Sequence, residues 1–242
     1  DTQEDWPVIN GYGNLIARCG VNAPVSLNTA VNKIDLTGRQ VKVSTNRGVI
    51  RADKVIVTVS TGVLAAQDIE FSPTLPDQTL NAIHALPMGN YNYLFYALKA
   101  GQIPPETFSV AYQRDGNATS LRLREFGRPM LSIAVAGRFA WWLEGQSEAT
   151  IEDWGREVIC DIFGENAKKD LINFKRSAWG FDQWIKGAYS SAKPESLAAR
   201  KDLHLPIENK LWFAGEAVSE HVFNTAHGAW ESGQRAIQAS AS

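Results

Sequence analysis

The run Lys54-Val55-Ile56-Val57-Thr58-Val59 constrains the fold more than any other stretch. It is almost wholly apolar and β-branched, without the polar alternation of a strand that has one wet face. Such a run reads as a central strand buried on both faces, with structure layered on either side. A second short apolar strand, 210–214, returns to that style only near the C-terminus. Between the two the composition changes, and Pro73, Pro76, Pro87, Pro104 and Pro105 punctuate the chain after Ser60. This pattern predicts an insertion. Residues 1–70 and 206–242 form one layer system and 71–205 a second domain inserted into it, an α+β or α/β architecture overall.

Local patterns fill in both parts. A short helix follows the glycines near position 12, with Leu15, Ile16 and Cys19 on one face. Residues 31–36 read as a strand with a Thr37-Gly38 turn. Val41-Lys42-Val43-Ser44-Thr45 alternates with period two, and Asn46-Arg47-Gly48 turns it into a strand at 49–51. A helix is expected over 77–86, then strands over 91–98, 108–112, 120–124 and 130–136 as a second sheet. The stretch 147–163 reads as a helix capped by Ser147, with Ile151, Trp154, Val158, Ile159 and Ile162 as its stripe. Residues 172–179 are extended. A last helix, 225–239, carries Ala226, Ala229, Trp230, Gly233, Ala236 and Ile237 on one face.

Several function classes find no support. The net charge of −2 gives no electrostatic case for nucleic acid or an anionic membrane. No apolar run reaches the ~18–20 residues that span a bilayer. Four scattered His and two distant Cys make no metal-ligand spacing, and Cys19 and Cys160 are expected as two buried thiols. The chain begins at Asp1, so a targeting segment is not readable and localisation stays open.

A dinucleotide site usually needs G-x-G-x-x-G between a strand and a helix. The nearest candidate is Gly11-Tyr12-Gly13, but Ile16 stands where the third glycine belongs and Pro7-Val8-Ile9-Asn10 is a poor strand. It reads as an ordinary turn opening a helix.

The C-terminal block has a clearer logic. A short strand ends at Ala214, and Gly215 then permits close approach of a ligand to the backbone. Glu216 follows at the strand's carboxyl end, where α/β sheets bind ligands, and a carboxylate there can accept hydrogen bonds from ribose-type hydroxyls. The helix beginning at Thr225-Ala226 offers free N–H groups and a positive dipole end to an acceptor that gains negative charge. Gly228 and Gly233 are expected to let that helix pack closely.

Phe213-Ala214-Gly215-Glu216, Ser219-Glu220-His221, His227-Gly228-Ala229 and Ser232-Gly233 together resemble the closing motif of the flavin-containing amine oxidases. The Ser-Glu-His spacing is most similar to plant-type polyamine oxidases. Leu27-Asn28-Thr29-Ala30-Val31 resembles the family strand whose final Val meets the adenine. Residues 53–58 and Gly62-Val63-Leu64 resemble the strand and turn beside the FAD. Trp179-Gly180, Asp182, Trp184 and Gly187-Ala188-Tyr189-Ser190 resemble the segment under the flavin ring. The resemblance implies FAD as cofactor, held by Val31, Thr58, Val59, Ser60, Trp179, Trp184, Gly215, Glu216, Thr225, Ala226 and Ala229. It implies the C-terminal half of a two-domain fold, with a mixed-sheet substrate domain inserted into an FAD-binding domain whose G-x-G-x-x-G half lies on a preceding segment or companion chain.

The implied reaction is oxidation of a small amine or amino acid by hydride transfer to flavin. Tyr189 matches one wall of the family's aromatic cage, and Thr225 stands at the opposite wall. Tyr93, after Gly89-Asn90-Tyr91-Asn92, occupies the place of a lysine that assists reaction with oxygen. A phenol carries no positive charge at neutral pH, and Lys99 lies ~20 Å further along the strand. Oxidase and dehydrogenase both stay open. An amino-acid substrate would use Arg122, Arg124 or Arg128, and a polyamine would use acids such as Glu125 or Glu144. Trp141 and Trp142 are expected in packing, and His227 in structural hydrogen bonding. The rival reading is a non-catalytic flavin-binding or scaffold subunit.

Overall fold

The computed structural model describes residues 8–101, 103–114 and 116–241. Pro7, part of the segment read above as a poor strand, lies outside them. The first part holds α1 (Tyr12–Cys19), β1 (Val31–Asp35), β2 (Val41–Thr45), β3 (Gly48–Ala52), β4 (Val55–Val57), α2 (Thr61–Ala65), β5 (Glu70–Ser72) and α3 (Asp77–Ala85). The alternation in β2 and the turn before Gly48 produce the expected hairpin, and the sheet runs β3-β2-β1-β5 with β5 parallel to β1.

Two expectations in this part are corrected. The run at 54–59 is not a long strand inside that sheet. Only Val55–Val57 is extended, and only Val57 is fully buried. Beyond it the chain leaves the ladder because Ser60 turns to cap α2, its Oγ accepting the Val63 amide at 3.2 Å. The apolar stripe of α1 is not packed either. Leu15 and Ile16 are exposed, and so is Cys19, while Cys160 is buried as expected.

The middle of the chain holds β6 (Met88–Gly89), β7 (Tyr91–Leu98), β8 (Phe108–Arg114), β9 (Asn117–Leu123), β10 (Met130–Ala136), α4 (Gly137–Glu144), α5 (Glu148–Phe163), β11 (Leu171–Arg176), β12 (Tyr189–Ser190) and α6 (Ala199–His204). Five strands form an antiparallel sheet in the order β11-β7-β10-β9-β8. Strict alternation in β7 sends Asn92, Leu94, Tyr96 and Leu98 inward and Tyr91, Tyr93 and Phe95 to the other face. The inner face packs on α4 and α5, with Ile151, Val158 and Ile159 of the stripe fully buried and Ser147 capping α5 as read from sequence. Gly155 is required there, because a Cβ would lie 2.2 Å from the Tyr96 hydroxyl. Helix α4 was not anticipated. It follows β10 without a loop, at Gly137 with φ 63°, and has no side-chain cap to announce it.

The chain closes with β13 (Leu211–Phe213), parallel to β4, and α7 (Ala226–Ala241). The expected face of α7 is also corrected. The helix packs through the narrow row Gly228, Ser232 and Ala236, while Trp230 and Ile237 are exposed. A Cβ on Gly228 would meet the Val222 carbonyl oxygen at 2.0 Å, so this glycine permits close packing; Gly233 faces open space and does not. One apolar cluster joins β1, β2, α2, α3, α6 and β13, and a second fills the space under the five-stranded sheet. The first cluster draws Leu75, Ile83, Leu86 and Leu203 from the segment read as an insertion.

Candidate functional site

A cleft of about 440 Å³ opens where β13 and β4 end. Thr58, Val59 and Ser60 form one wall, Gly215, Glu216 and Ala229 another, and Trp184 also lines it. Trp184 also borders a second hollow of about 610 Å³ that contains Val31 and Val59. A third hollow, formed by residues 26–30 with Asn46, reaches the same tryptophan. Seven expected cofactor contacts thus share one cleft, and Val31 adjoins it. Thr225 and Ala226 stand one turn before Ala229, at the start of α7. Trp179 lines none of these hollows and sits half-exposed.

The wall after β13 is shaped by a left-handed glycine. Gly215 has φ 141°, and a Cβ there would project into open space in the cleft. Its amide donates to Ser232 Oγ at 2.8 Å, which ties the wall to α7. The Glu216 side chain is committed to the protein. Oε1 accepts the Ser190 amide at 2.7 Å, and Oε2 accepts Ser190 Oγ at 2.8 Å and the Asn224 amide at 3.0 Å. Behind it lies Arg200, 1% exposed, donating to Ser190 Oγ and the Ala217 carbonyl, each at 2.9 Å. Burial lowers the Arg200 pKa from its ordinary value, and Glu216, 4.0 Å away, opposes that shift. The cluster joins β12, α6 and the β13 loop, and so sets Tyr189 relative to the cleft.

At the start of α7, Thr225 Oγ1 accepts the Gly228 amide at 3.1 Å. The amides of Ala226 and His227 have no intrahelical acceptor by the geometry of a helix start. His227 Nε2 lies 3.5 Å from Thr225 Oγ1.

Trp184 is carried by a strap, residues 177–187, whose base is closed by the Gly187 amide donating to the Trp179 carbonyl at 2.8 Å. The strap is pinned by a buried carboxylate. Glu144 Oε2 accepts Asn90 Nδ2 and Asn92 Nδ2, both at 2.7 Å, and the Gly180 amide at 3.1 Å; Oε1 accepts the Phe181 amide at 2.8 Å. Asn92 Oδ1 in turn accepts Ser177 Oγ at 2.9 Å and the Trp179 amide at 3.2 Å. This explains the Asn90-x-Asn92 spacing: period two puts both amides on one face, aimed at one acceptor. Asp182 Oδ1 caps the tip by accepting the Trp184 amide at 2.8 Å, and Ser60 Oγ donates to the Ile185 carbonyl.

On the opposite face of β7 the rings run in a row. Tyr189 lies 6.3 Å from Tyr91, Tyr91 5.4 Å from Tyr93, and Tyr93 5.6 Å from Phe95. Tyr189 and Tyr93 are therefore joined through Tyr91, which the sequence reading had not assigned. Burial, assisted by the Tyr91 hydroxyl, pushes the Tyr93 pKa up to about 12 while Arg122 pulls the other way. Tyr93 is a neutral donor at physiological pH.

The polar residues weighed for substrate binding sort differently from one another. Arg122 pairs with Glu125 at 3.2 Å. Arg124 donates to the Pro104 carbonyl at 3.0 Å, and Arg128 packs over the Phe126 ring. Glu144 is buried and filled by its four donors. Trp141 packs edge-on against Phe181, whereas Trp142 is exposed beside Phe139. Arg200 carries no signal in sequence, whereas Ser190 closes the Gly187-Ala188-Tyr189-Ser190 segment. The paired asparagines did carry one, since buried strand amides need partners. Among the described residues no group of three His, Cys, Asp or Glu could hold a metal, and no helix is long and apolar enough to cross a membrane.

Comparison with known proteins gives these features a context. Residues 2–239 match the family described as flavin containing amine oxidoreductase. Polyamine oxidase 4 of Oryza sativa subsp. japonica is 31% identical over 93% of this chain and 47% of its own length. Lysine-specific histone demethylase 1B of Mus musculus is 26% identical over 93% of this chain and 28% of its own length. The chain thus spans less than half of these relatives. In fold it is similar to putrescine oxidase bound to putrescine, with a TM-score of 0.76 and 18% identity over 95% of this chain and 52% of that one. Cyclohexylamine oxidase from Brevibacterium oxydans gives a TM-score of 0.66 and 20% identity over 88% and 48%.

Proposed function

Because this chain belongs to the flavin containing amine oxidoreductase family, we propose that it forms the substrate-facing part of an FAD-dependent enzyme that oxidises a CH–NH2 or CH–NH group. The observation that carries the reading is the convergence of Thr58–Ser60, Trp184, Gly215, Glu216 and Ala229 on one cleft from four distant segments. The residues fit a flavin. Gly215 leaves room that a Cβ would take, and the amides at the start of α7, free of intrahelical acceptors, would favour a group that gains negative charge. When bound, FAD supplies the acceptor for a hydride from the amine's α-carbon.

The chain's own groups do the remaining work. Trp184 contributes an indole to the lining of the cleft. The Tyr189–Tyr91–Tyr93 row presents aromatic rings that orient a neutral amine. Loss of the α-hydrogen as hydride and of one N–H proton leaves an imine, which water hydrolyses to a carbonyl and ammonia or a shorter amine. With dioxygen as final acceptor the second product is hydrogen peroxide. Glu216 shapes the wall, its carboxylate held in place by the Ser190 amide and hydroxyl and the Asn224 amide.

A companion segment with the G-x-G-x-x-G strand-turn-helix completes the cofactor site, with 1–70 and 206–242 on the FAD side and 71–205 on the substrate side. The exposed Leu15 and Ile16 of α1 and Trp230 and Ile237 of α7 are apolar surface available to it. Production of the chain together with such a segment, followed by visible spectroscopy, tests the reading. Bound FAD bleached anaerobically by an amine is the expected result. Failure to bind FAD refutes it, and bound FAD that no amine or amino acid bleaches assigns the scaffold role.

A further inference from the structure

Arg176, the last residue of β11, faces the inner side of the five-stranded sheet. Phe174, two residues earlier, packs against the apolar cluster there, and period two puts Arg176 on the same face, opposite Leu94 of β7. Its Nε and Nη1 are shielded from solvent, and neither has a hydrogen-bond partner among the described residues. Glu148 Oε2 stands 3.9 Å from Nε, too far for a hydrogen bond, and that side chain is 71% exposed. Leaving a charged donor unsatisfied in a core is costly, so these two atoms call for a partner.

Arg176 also lines a small cavity. Leu94, Leu143 and Ile151 give it apolar walls, and Asn92, Glu144 and Ser177 join Arg176 as its polar ones. The centre of a water-sized sphere has about 10 Å³ there, room for one water molecule and no second. The acceptors around it are nearly used up. The Glu144 oxygens take four donors, and Asn92 Oδ1 takes Ser177 Oγ and the Trp179 amide. Among the described residues Ser177 Oγ accepts only the Tyr93 amide, at 2.9 Å, and so keeps a lone pair. The cavity thus offers donors, one acceptor and a neighbouring carboxylate. That set selects a molecule that both accepts and donates. Chloride only accepts, and would lie against the Glu144 charge.

We infer that this cavity is a site for one structural water molecule, which accepts from Arg176 and donates to Ser177 Oγ, and that Arg176 positions the strap through it. Ser177 is the first residue of the strap, and its hydroxyl donates to the same Asn92 oxygen that accepts the Trp179 amide. The bridge therefore extends the hydrogen-bond chain from the end of β11 to the segment that brings Trp184 to the cleft. It also fixes a guanidinium on the wall of a cavity shared with Glu144, a buried carboxylate whose four donors are all neutral. The inference stands whatever the cleft binds.

Diffraction from crystals of the complete protein tests the site. One solvent peak within hydrogen-bonding distance of Arg176 and Ser177 Oγ is expected, with no anomalous signal there after transfer to bromide. A bromide peak, or a cavity without a peak, overturns the inference, and the native crystals decide this even where a variant does not fold. Hydrogen exchange tests the positioning. Arg176→Met removes the donors and should speed exchange of the Trp179, Gly180 and Phe181 amides by roughly tenfold, the worth of one hydrogen bond to a charged group, while β8 and β9 stay unchanged. Arg176→Lys keeps a charged donor and should recover most of the protection. In a Ser177→Ala background, where the water has lost its acceptor, Arg176→Met should add less than about twofold. Unchanged strap exchange in Arg176→Met, no recovery in Arg176→Lys, or effects of the two substitutions that simply multiply would each remove Arg176 from this role.

Discussion

Replacing Glu144 with glutamine keeps the side chain's volume and removes one acceptor. In the native site Oε2 takes three donors and Oε1 takes one. The glutamine will place its oxygen at the three-donor position, and its NH2 then faces the Phe181 N–H. That part-buried donor is left unsatisfied at a cost of about 1 kcal/mol, and three bonds to a carboxylate become neutral ones, weaker by about 1 kcal/mol each. Relief of the carboxylate's desolvation offsets part of this. The net loss is about 2–4 kcal/mol, or roughly 5–15 °C in Tm for a protein of this size. Scanning calorimetry reads the Tm, and hydrogen exchange on peptides covering residues 177–187 locates the loss in the strap. Glu144→Ala should be worse, because all four donors lose their partner. A Tm within ~2 °C of wild type, with unchanged exchange in the strap, would refute the claim that this carboxylate pins the strap that carries Trp184.

Gly228→Ala is expected to destabilise by at least ~2 kcal/mol, since the new Cβ overlaps the Val222 carbonyl, whereas Gly233→Ala, facing open space, should stabilise by about 0.5–1 kcal/mol; equilibrium denaturation separates them. Arg200→Met should cost about 2–4 kcal/mol and free Ser190 and Glu216 to move, seen as weakened FAD binding in a titration. Burial and, less strongly, Arg235 hold the His204 imidazole below its ordinary range. The unfolded chain therefore takes the extra proton first as pH falls. Stability is full above the unfolded value and is lost as pH drops towards the lower folded one, and His204→Gln should flatten that slope in pH-dependent denaturation. Tyr93→Lys should raise the rate at which dioxygen reoxidises the reduced flavin, measured by stopped flow; an unchanged rate removes Tyr93 from that role.

Local periodicity was enough for the elements whose patterning is clean. β7 and β10 match their expected bounds, and α5 starts at its Ser147 cap, because alternation and capping are decided within a few residues. The closing motif was legible for the same reason, since Gly215, Glu216 and Thr225 lie within ten positions of one another. The structure departed from the reading where burial depended on distant partners. An apolar β-branched run does not say whether a second strand will flank it, so 54–59 shortened to β4. A helical stripe does not say which neighbour covers it, so Trp230 and Ile237 face outward while Gly228, Ser232 and Ala236 form the contact.

The site divides along the same line. By itself the sequence determined the family and pointed to seven of the residues that line the cleft, since these follow from motifs with fixed spacing. Only the tertiary structure decided what those residues have left to offer. It committed Glu216 to Ser190 and Asn224, placed the wholly buried Arg200 behind them, and turned Glu144 from a candidate substrate acid into the anchor of the strap. It also aligned Tyr189, a hundred residues away in the chain, with Tyr91 and Tyr93. Hydrogen-bond capacity and charge compensation are settled by whatever surrounds a group in space, and no window of sequence contains those neighbours.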